Sequence, residues 1–497
     1  MFKIIKADKD TYITNRIIKG VSSETSNVGL AGSLDLFKLY GATLSGSTPN
    51  TELSRLLVHF DITPIFALSS SHTINVQDDS FFARLIMRDV YGGQPTPSRY
   101  TLSICPMSMS FDEGLGKDVV YYSDIDSANF ISASHDESWN GSGCSVSGNV
   151  GSTCDYYTDL ECTQYFASGE EDLAVDVTAA VKAMLLQTIP NAGFRIAFAS
   201  SEESDQRTYF VKRFASHQAF DQSKHPRLIV GYDDSVHDTS SGMTLDTLQT
   251  MIVYSYDHGA PANIVSGSMQ ITGSNCLKLK LRLTTSLGPY DLTFSGSQCT
   301  QGTHYVTGAY SAPVTVSSSD KYIKCALALS GSVTLQPMWQ SLDGTVTYTV
   351  GQSVTFLPRT MSSTPIPAKK YNVTVNGIQN TYRSDETAIM RVNVFDYASP
   401  LIKLIKVPAN SPGALQGIAS DAFYSIRDAV TREIVVPFDL DHGSTRLSSD
   451  ATGLFFKFDA SNLEVERTYV IDILLLVGGE EQRYNSVSPT FKISDTQ

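Results

Sequence analysis

The stretch Arg55-Leu56-Leu57-Val58-His59-Phe60-Asp61 and four segments of the same kind decide the fold of the N-terminal part of this chain. The other four are Asp8-Lys9-Asp10-Thr11-Tyr12-Ile13, Asp172-Leu173-Ala174-Val175-Asp176-Val177-Thr178, Asn191-Ala192-Gly193-Phe194-Arg195-Ile196 and Pro226-Arg227-Leu228-Ile229-Val230. Each is a short run rich in strand-forming residues, and none has the chemistry of a catalytic motif. Their order and spacing predict the strands of one β-sandwich, whose connecting loops are free to carry recognition.

The composition of the chain favours a series of β domains. Its 497 residues are too many for one hydrophobic core and suggest about three domains. Only 18% of the residues are charged, and this balance favours short strands and turns over long solvated helices. We therefore expect an all-β protein.

Charge and hydropathy argue against two kinds of partner. A formal net charge of -14 repels a phosphate backbone, and no cluster of Lys and Arg interleaved with aromatic residues offsets it, so no nucleic-acid binding is expected. The sequence contains no run of about 18 apolar residues, so no membrane insertion is expected either. The opening Met1-Phe2-Lys3-Ile4-Ile5-Lys6 lacks the apolar region of a secretory signal, which predicts synthesis in a cytoplasm without export.

Two polar stretches divide the chain into three predicted domains. The first, Asp233 to Gly242, cannot bury enough apolar surface to order itself. The second runs from Pro358 to Pro367, where closely spaced prolines favour an extended connector. The expected domains are a β-sandwich at 1–233, a small antiparallel β domain at 243–357 and an immunoglobulin-like β-sandwich at 368–497.

Local patterns predict the elements of these domains. Four leucines from Leu277 to Leu283 alternate with Lys or Arg, as in a strand with one buried and one solvent-exposed face. Further strands are expected at Met251–Tyr256, Tyr322–Leu329, Val346–Val350, Tyr371–Val375, Ala388–Phe395, Glu433–Phe438, Leu454–Phe458, Tyr469–Val477 and Thr490–Ile493. Thr178 is the expected cap of a helix over Ala179–Gln187, and Ser420–Thr431 is a second candidate helix.

Residues 1–233 resemble a DNRLRE-type domain, a jelly-roll β-sandwich related to carbohydrate-binding modules. The elements that carry the resemblance are Asp10-Thr11-Tyr12-Ile13, Asn27-Val28-Gly29, Arg55-Leu56-Leu57 with Phe60-Asp61, Asp176-Val177-Thr178, Asn191-Ala192-Gly193-Phe194 and Pro226-Arg227-Leu228-Ile229-Val230. The segments Phe111–Lys117, Glu171–Leu173 and Tyr209–Phe214 are similar to those of tailed-bacteriophage virion proteins that carry this sandwich. The chain departs from the family by lacking its Trp-rich middle segments. The resemblance implies an N-terminal jelly roll with one short helix, in a virion component assembled in the host cytoplasm.

Asp8, Asp10 and Asp233 are the candidate metal ligands. They lie at the two ends of the predicted sandwich, where a hard cation such as Ca²⁺ would suit carboxylate oxygens. Carbohydrate-binding relatives often hold such an ion. The alternative is that these aspartates only pair with lysines or cap turns. No other cofactor is expected.

The candidate ligand or interface residues are aromatic. Trp139, Tyr121, Tyr122, Tyr156 and Tyr157 fall in a long stretch rich in Gly and Ser, residues 105–170. Such rings can stack on sugars or anchor a protein interface. The alternative is that they cover one end of the sandwich or pack within the loop.

No catalytic site is expected. Glu170-Glu171-Asp172 and Glu202-Glu203 offer paired carboxylates, but neighbouring residues of a strand point to opposite faces, whereas a glycosidase needs two carboxyl groups across a cleft. Zinc binding by Cys144, Cys154, Cys162 and His135 is disfavoured because the cysteine spacing lacks the usual close pair. The seven cysteines are an odd number and argue for packed thiols rather than a disulfide framework.

Three hypotheses follow for the function. The first is a non-enzymatic structural protein of a tailed-phage virion, at the neck, collar, tail or fibre attachment or as a capsid decoration. It would bind other virion proteins and form a homo-oligomer. The alternative is a glycan-binding adhesion module for host surface polysaccharide, and the least favoured is a polysaccharide hydrolase or lyase.

Overall fold

The computed structural model describes the chain except for residues 42–50, 72–73, 94, 121–123, 125, 236–242, 258–259, 268, 286–287, 302–303, 359–370, 397–418, 451–452, 478–479 and 496–497. The described residues form two compact units. The N-terminal unit consists of Phe2–Ser71 and Phe81–Gly231, and the C-terminal unit of Met1, His72–Ser80 and Tyr232–Gln497. Most of both predicted connectors lies outside the described residues, and the division of the C-terminal unit into two domains stays a prediction.

The N-terminal unit is a jelly-roll β-sandwich. Its strands are β1 (Phe2–Thr14), β2 (Ile17–Ile18), β3 (Val21–Ser22), β4 (Ser33–Tyr40), β5 (Thr51–Phe60), β6 (Phe82–Met87), β7 (Tyr100–Pro106), β8 (Ser132–Ser134), β9 (Glu137–Ser138), β10 (Ser147–Gly148), β11 (Tyr156–Tyr157), β12 (Cys162–Phe166), β13 (Leu173–Asp176), β14 (Phe194–Phe198), β15 (Tyr209–Ala215) and β16 (Arg227–Gly231). Its helices are α1 (Thr63–Ser70), α2 (Thr178–Leu185) and α3 (Ser200–Ser204), with a 3₁₀ turn at Gln222–Lys224.

Strand β1 belongs to both layers of the sandwich. Its first residues, Phe2–Lys6, pair with β16, and the residues from Ala7 to Thr14 pair with β5. The resulting strand order is β12-β7-β14-β5-β1-β16-β6-β13, and β15 joins through β4, which pairs with β5. The register shifts between Ala7 and Lys9, so Asp8 is the extra residue of a β-bulge at the point where the strand changes layer.

Helix α2 forms where the sequence predicts it, but its cap differs. The helix begins at Thr178, and the capping position belongs to Val177, which has no capping side chain. Thr178 Oγ1 instead accepts the backbone N–H of Ala83, 2.9 Å away. The prediction of Thr178 as the cap is therefore wrong, because the chain enters the helix directly from β13 and the hydroxyl faces the neighbouring strand.

The C-terminal unit contains the remaining elements. Its strands are β17 (Gln249–Tyr254), β18 (Tyr256–Asp257), β19 (Ala260–Pro261), β20 (Val265–Ser266), β21 (Met269–Gln270), β22 (Leu277–Thr285), β23 (Gly288–Gln301), β24 (His304–Val314), β25 (Val333–Gln340), β26 (Thr347–Val350), β27 (Val354–Phe356), β28 (Tyr371–Asn376), β29 (Thr381–Arg383), β30 (Thr387–Asp396), β31 (Ala419–Asp428), β32 (Ile434–Val436), β33 (Ser448–Asp450), β34 (Gly453–Asp459), β35 (Thr468–Val477), β36 (Glu480–Tyr484) and β37 (Phe491–Ser494). It also has helix α4 (Lys321–Ser330) and a 3₁₀ turn at Ala460–Asn462.

The largest sheet within residues 249–356 is antiparallel, and the pairs β18-β19 and β20-β21 form two small separate sheets. The order of the largest sheet is β17-β24-β23-β22-β25-β26, with β27 also on β25. The alternating leucines from Leu277 to Leu283 lie on the buried face of β22, as predicted. The predicted strand Tyr322–Leu329 is wrong, because this segment is helix α4. Asp320 accepts the backbone N–H groups of Tyr322 and Ile323 at its start, and Gly331 ends it in the left-handed conformation at φ 69°.

Two sheets account for residues 371–494 and form the immunoglobulin-like sandwich. Their orders are β28-β30-β34-β33 and β29-β37-β35-β31-β32, with β36 beside β35. Aromatic pairs join the sheets, such as Tyr424 stacked on Phe456 at 4.2 Å between ring centroids. The predicted helix Ser420–Thr431 is wrong, since these residues overlap β31, which lies between β35 and β32. No helix in the described part of the chain is long and apolar enough to cross a membrane.

Candidate metal centre

Three metal-binding side chains meet at one point in the N-terminal unit. Asp10 comes from β1, Glu113 from the segment between β7 and β8, and His217 from the turn that follows β15. One ligand atom of each residue lies within 4.8 Å of the others. The Nδ1 atom of His217 is 3.1 Å from Asp10 Oδ1 and 3.1 Å from Glu113 Oε1. We call these three residues the Asp10 cluster.

Backbone hydrogen bonds hold the cluster together. Asp10 Oδ2 accepts the N–H of His217 at 2.6 Å, and Glu113 Oε1 accepts the N–H of Asp10 at 3.0 Å. Asp10 Oδ1 and His217 Nδ1 are buried, and within the described part of the chain neither has a hydrogen-bond partner. Their separation of 3.1 Å brings them close, but their mutual orientation does not make a hydrogen bond. The two atoms therefore point into the space between the three side chains.

Burial dominates the electrostatics of the cluster. Asp10 is fully buried, and burial raises its pKa although His217 works in the opposite direction. Burial also raises the pKa of Glu113 to about 7. For His217 burial lowers the pKa, but the nearby carboxyl groups of Asp10 and Glu113 outweigh it and raise the pKa overall. Two carboxyl groups and an imidazole thus share a site in which an uncompensated charge is costly.

A turn at Asn27 positions Glu113. The buried Asn27 side chain donates to the carbonyl of Glu113 at 2.7 Å and accepts the N–H of Gly116 at 2.9 Å. Gly29 lies so close that a Cβ there would stand 2.2 Å from the carbonyl oxygen of Glu113. Only glycine fits this approach. The sequence Asn27-Val28-Gly29, which carries part of the family resemblance, therefore fixes the segment that supplies Glu113.

The other two predicted metal ligands do not join the cluster. The Asp8 carboxylate binds His59 Nδ1 at 2.6 Å, on the bulge of β1. Asp233 belongs to the C-terminal unit, where its carboxylate forms an ion pair with Arg446 at 2.9 Å. Of the three predicted ligands, only Asp10 lies in a group of three metal-binding side chains among the described residues. Asp8 and Asp10 thus have different partners within the N-terminal unit, and the calcium set of Asp8, Asp10 and Asp233 stays a prediction.

The aromatic side chains of the loop that the structure describes make contacts within the N-terminal unit. Trp139 is 5% exposed and packs with Met107 and Phe111, and its indole N–H donates to the carbonyl of Asn129 at 2.8 Å. Tyr157 is also buried, and the guanidinium of Arg195 lies 4.3 Å from the ring centroid of Tyr156. The contacts of these three rings thus lie within the loop and against the sandwich. Tyr121 and Tyr122 lie outside the described residues.

Buried arginines fasten the same loop to the sandwich. Arg55 forms two hydrogen bonds with the carboxylate of Glu203, at 3.0 and 2.8 Å, and donates to the carbonyl of Gly143 at 2.5 Å. Arg195 donates to the carbonyl of Cys144 at 2.9 Å. Although burial alone would raise the pKa of Glu203, the hydrogen bonds and charge of Arg55, helped by Arg195, lower it. Glu203 is therefore the counter-ion of both arginines.

Other carboxylates considered for catalysis also form structural contacts with the backbone or with a basic side chain. Glu171 accepts the N–H groups of Ala167, Ser168 and Gly169 at 2.7 to 2.9 Å. Burial opposes ionisation, but these backbone hydrogen bonds lower the pKa of Glu171 to about 2. Asp172 forms an ion pair with Arg88 at 2.7 Å. The carboxylates of Glu171 and Asp172 therefore both have defined structural contacts.

The cysteines are thiols at separate positions. All seven are unpaired, and Cys105, Cys144 and Cys154 are buried. His135, which the sequence placed beside them as a zinc candidate, is exposed and binds Asp126 through Nδ1 at 2.8 Å. The described residues do not bring this histidine and the three cysteines into one metal-binding group.

Comparison with protein-family models and with curated proteins finds no match. Among solved structures, the chain is similar to three N-terminal domains of the bacteriophage RB49 Highly Immunogenic Outer Capsid protein (Hoc), at 9% identity and a TM-score of 0.13, over 53% of this chain and 59% of that one. It is similar to the chicken CNTN1 FN1–FN3 domains at 10% identity and a TM-score of 0.14, over 66% and 79% of the two chains. A tetra-tandem repeat in the extending region of a large adhesion protein gives 9% identity and a TM-score of 0.16, over 98% and 99%. At such TM-scores these likenesses carry no argument about function.

Sequence reasoning found one residue of the Asp10 cluster and missed two. Glu113 lies in the segment Phe111–Lys117, which the sequence singled out only for its resemblance to virion proteins. His217 gave no local signal, since it stands alone in a polar turn. Residues 10, 113 and 217 meet only because the sandwich brings β1, the β7–β8 segment and the end of β15 together.

Proposed function

We propose that this chain is a non-enzymatic structural component of a tailed-phage virion, acting through contacts with other virion proteins and with copies of itself. The observation that carries the proposal is the use of charged side chains in the N-terminal unit. The buried groups Arg55, Arg195 and Lys212 each bind both a carboxylate and backbone carbonyls of a loop.

This use of charge suits a scaffold more than an enzyme. A catalytic carboxylate needs access to a substrate and a pKa near the working pH. Glu203 and Glu171 instead have lowered pKa values and fixed protein partners. Rigid loops on stacked β domains are what a repeated structural subunit requires, because ring or spike geometry comes from repeated identical contacts. The resemblance of residues 1–233 to phage virion sandwiches supplies the virion part of the proposal.

The glycan-binding alternative loses part of its basis. Stacking on a sugar needs an exposed ring face, whereas Trp139 and Tyr157 are buried and Tyr156 is covered on one side by Arg195. A glycan array separates the alternatives. We expect no binding by the wild-type protein, and sugar binding that is lost in Tyr156→Ala would favour the adhesion module.

The test of the structural role is the particle itself. Mass spectrometry of purified virions is expected to detect the chain at a fixed copy number relative to the major capsid protein, and cryo-EM is expected to show it in symmetric copies. Purified recombinant protein analysed by light scattering is expected to form one discrete oligomer. Absence of the chain from purified virions would overturn the proposal.

A further inference from the structure

We propose that Asp10, Glu113 and His217 form a binding site for one divalent first-row transition-metal ion, with Zn²⁺ as the reference ion. The site goes beyond the structural role and does not depend on it. Two carboxylates and one imidazole form a mixed oxygen and nitrogen ligand set, which suits Zn²⁺ and its neighbours.

The distances match coordination by one ion. Zn²⁺ holds nitrogen and oxygen ligands at about 2.0–2.2 Å, which places the ligand atoms of a tetrahedron roughly 3.3–3.6 Å apart. An octahedral ion with bonds of about 2.1 Å places neighbouring ligands roughly 3.0 Å apart. The observed separations from His217 Nδ1 to Asp10 Oδ1 and to Glu113 Oε1 are both 3.1 Å. One ligand atom of each residue also lies within 4.8 Å of the others, so the three side chains can contact one ion.

The second observation is independent of the cluster's composition. Asp10 is fully buried, and its Oδ1 atom has no hydrogen-bond partner among the described residues, as is also true of His217 Nδ1. A buried carboxylate oxygen without a partner is costly. Both atoms face the same space, and a cation placed there would satisfy them together.

The surroundings orient the ligands as a metal site requires. The second oxygen of Asp10 is fixed by the N–H of His217, and the Glu113 carboxylate by the N–H of Asp10. The other ring nitrogen of His217, Nε2, lies 2.9 Å from the side-chain amide of Gln218. When Nδ1 binds a metal, Nε2 carries the proton, and the Gln218 amide turned through 180° accepts it.

The ligand set argues against calcium. Ca²⁺ takes six to eight oxygen ligands at about 2.3–2.6 Å, and imidazole suits Zn²⁺, Cu²⁺ and Ni²⁺ better. The Asp10 cluster offers two carboxylates and a nitrogen, so we expect Ca²⁺ to bind at least tenfold more weakly than Zn²⁺. The alternative without a metal is a proton shared between His217 and the two carboxyl groups.

The test uses the full-length chain, freed of metals by chelation and titrated with ZnCl₂, CoCl₂ and CaCl₂ in calorimetric and thermal-unfolding experiments. We expect one Zn²⁺ per chain and a rise in the Tm of the N-terminal unit of roughly 5–11 °C at a hundredfold excess over Kd. Co²⁺ is expected to give visible absorption bands that change on loss of the nitrogen ligand. Glu113→Gln and His217→Gln should each lower the affinity at least tenfold.

The matched control is His135→Gln, which removes an exposed histidine that also binds an aspartate in the same unit. It is expected to leave one Zn²⁺ site unchanged. The proposal is overturned if the folded wild-type chain binds neither Zn²⁺ nor Co²⁺, which would identify a proton-sharing cluster. It is also overturned if His217→Gln binds Zn²⁺ with the affinity of the wild-type chain, or if Ca²⁺ stabilises the chain as strongly as Zn²⁺. Where a variant does not fold, the Co²⁺ spectrum of the wild-type chain decides alone, since bands without a nitrogen ligand contradict the site.

Discussion

Replacing Glu203 by Ala should destabilise the N-terminal unit more than any exposed substitution. Glu203 receives two charge-assisted hydrogen bonds from Arg55, and its carboxylate lies 3.6 Å from Arg195. Arg55 and Arg195 are both buried, at 6% and 3% exposure, so the variant leaves two positive charges without their counter-ion. Removing one partner of a buried ion pair costs about 3–5 kcal/mol.

The structure places the expected value at the low end of this range. The Glu203 side chain is 19% exposed, so water can reach the guanidinium groups in the variant. We expect a loss of about 3 kcal/mol, which corresponds to a fall in Tm of roughly 6–12 °C for a unit of this size. Glu203→Gln keeps the shape and an acceptor oxygen and should lose about 2 kcal/mol. The control Glu170→Ala removes an exposed glutamate of the same unit and should stay within about 0.5 kcal/mol.

The assay follows the two tryptophans separately. Trp139 lies in the N-terminal unit and Trp339 in the C-terminal unit, so chemical unfolding in a shared Trp339→Phe background reports the N-terminal unit alone. Burial raises the pKa of the Cys144 thiol to about 12, and the backbone carbonyl of Cys144 accepts a hydrogen bond from Arg195. Glu203→Ala should therefore also speed its reaction with a thiol reagent. A folded variant that loses less than 1 kcal/mol, with Cys144 still protected, would refute the reasoning.

Three further predictions concern pH, packing and the sheet of the C-terminal unit. The pKa of Glu203 is lowered in the folded chain, so its ionisation stabilises the fold above the usual glutamate pKa, near 4.5. This stabilisation is lost as the pH falls through the folded pKa. The difference in stability between wild type and Glu203→Gln, measured by acid denaturation, should therefore vanish below that window. Gly29→Ala forces a Cβ against the Glu113 carbonyl and should cost about 1–3 kcal/mol, measured by urea unfolding, whereas Gly32→Ala meets open space and should cost less than 1 kcal/mol. Leu281→Ala empties a fully buried position and should cost about 2–5 kcal/mol in thermal unfolding followed by Trp339 fluorescence, while Lys280→Ala on the opposite face should stay within about 1 kcal/mol; equal effects would contradict the assigned register.

The sequence pattern predicts strands correctly where one face of the sheet is exposed to solvent. The leucines of β22 alternate with half-buried basic residues, and this pattern has only one structural solution. In β31 the residues from Ala422 to Ile426 are all buried, so the period of two disappears, and a helix was predicted instead. Helix α4 shows the reverse error. Its apolar run looked like a strand, although Asp320 before it and Gly331 after it are the ordinary signals of helix ends.

The candidate site was harder to predict than the fold, for a physical reason. Strands follow from local periodicity, whereas the Asp10 cluster depends on contacts between residues 103 and 207 positions apart. The long loop was predicted as a recognition surface because it is rich in Gly, Ser and aromatics. Its composition does not show that the Trp139 indole would donate to a backbone carbonyl, or that two arginines would bind carbonyls of the loop. Those contacts appear only once the sandwich exists.

The Asn27 turn connects the fold to the candidate site. As a sequence feature, Asn27-Val28-Gly29 reads only as a turn that defines the sandwich. In the structure the Asn27 amide holds the carbonyl of Glu113, and the absence of a side chain at Gly29 gives that segment its room. A change at Asn27 should therefore weaken metal binding through Glu113 as well as the stability of the unit, whereas a core change such as Leu57→Ala should affect stability alone. If the two variants weaken Zn²⁺ binding equally at matched stability, the turn only supports the fold and Glu113 is positioned by other contacts.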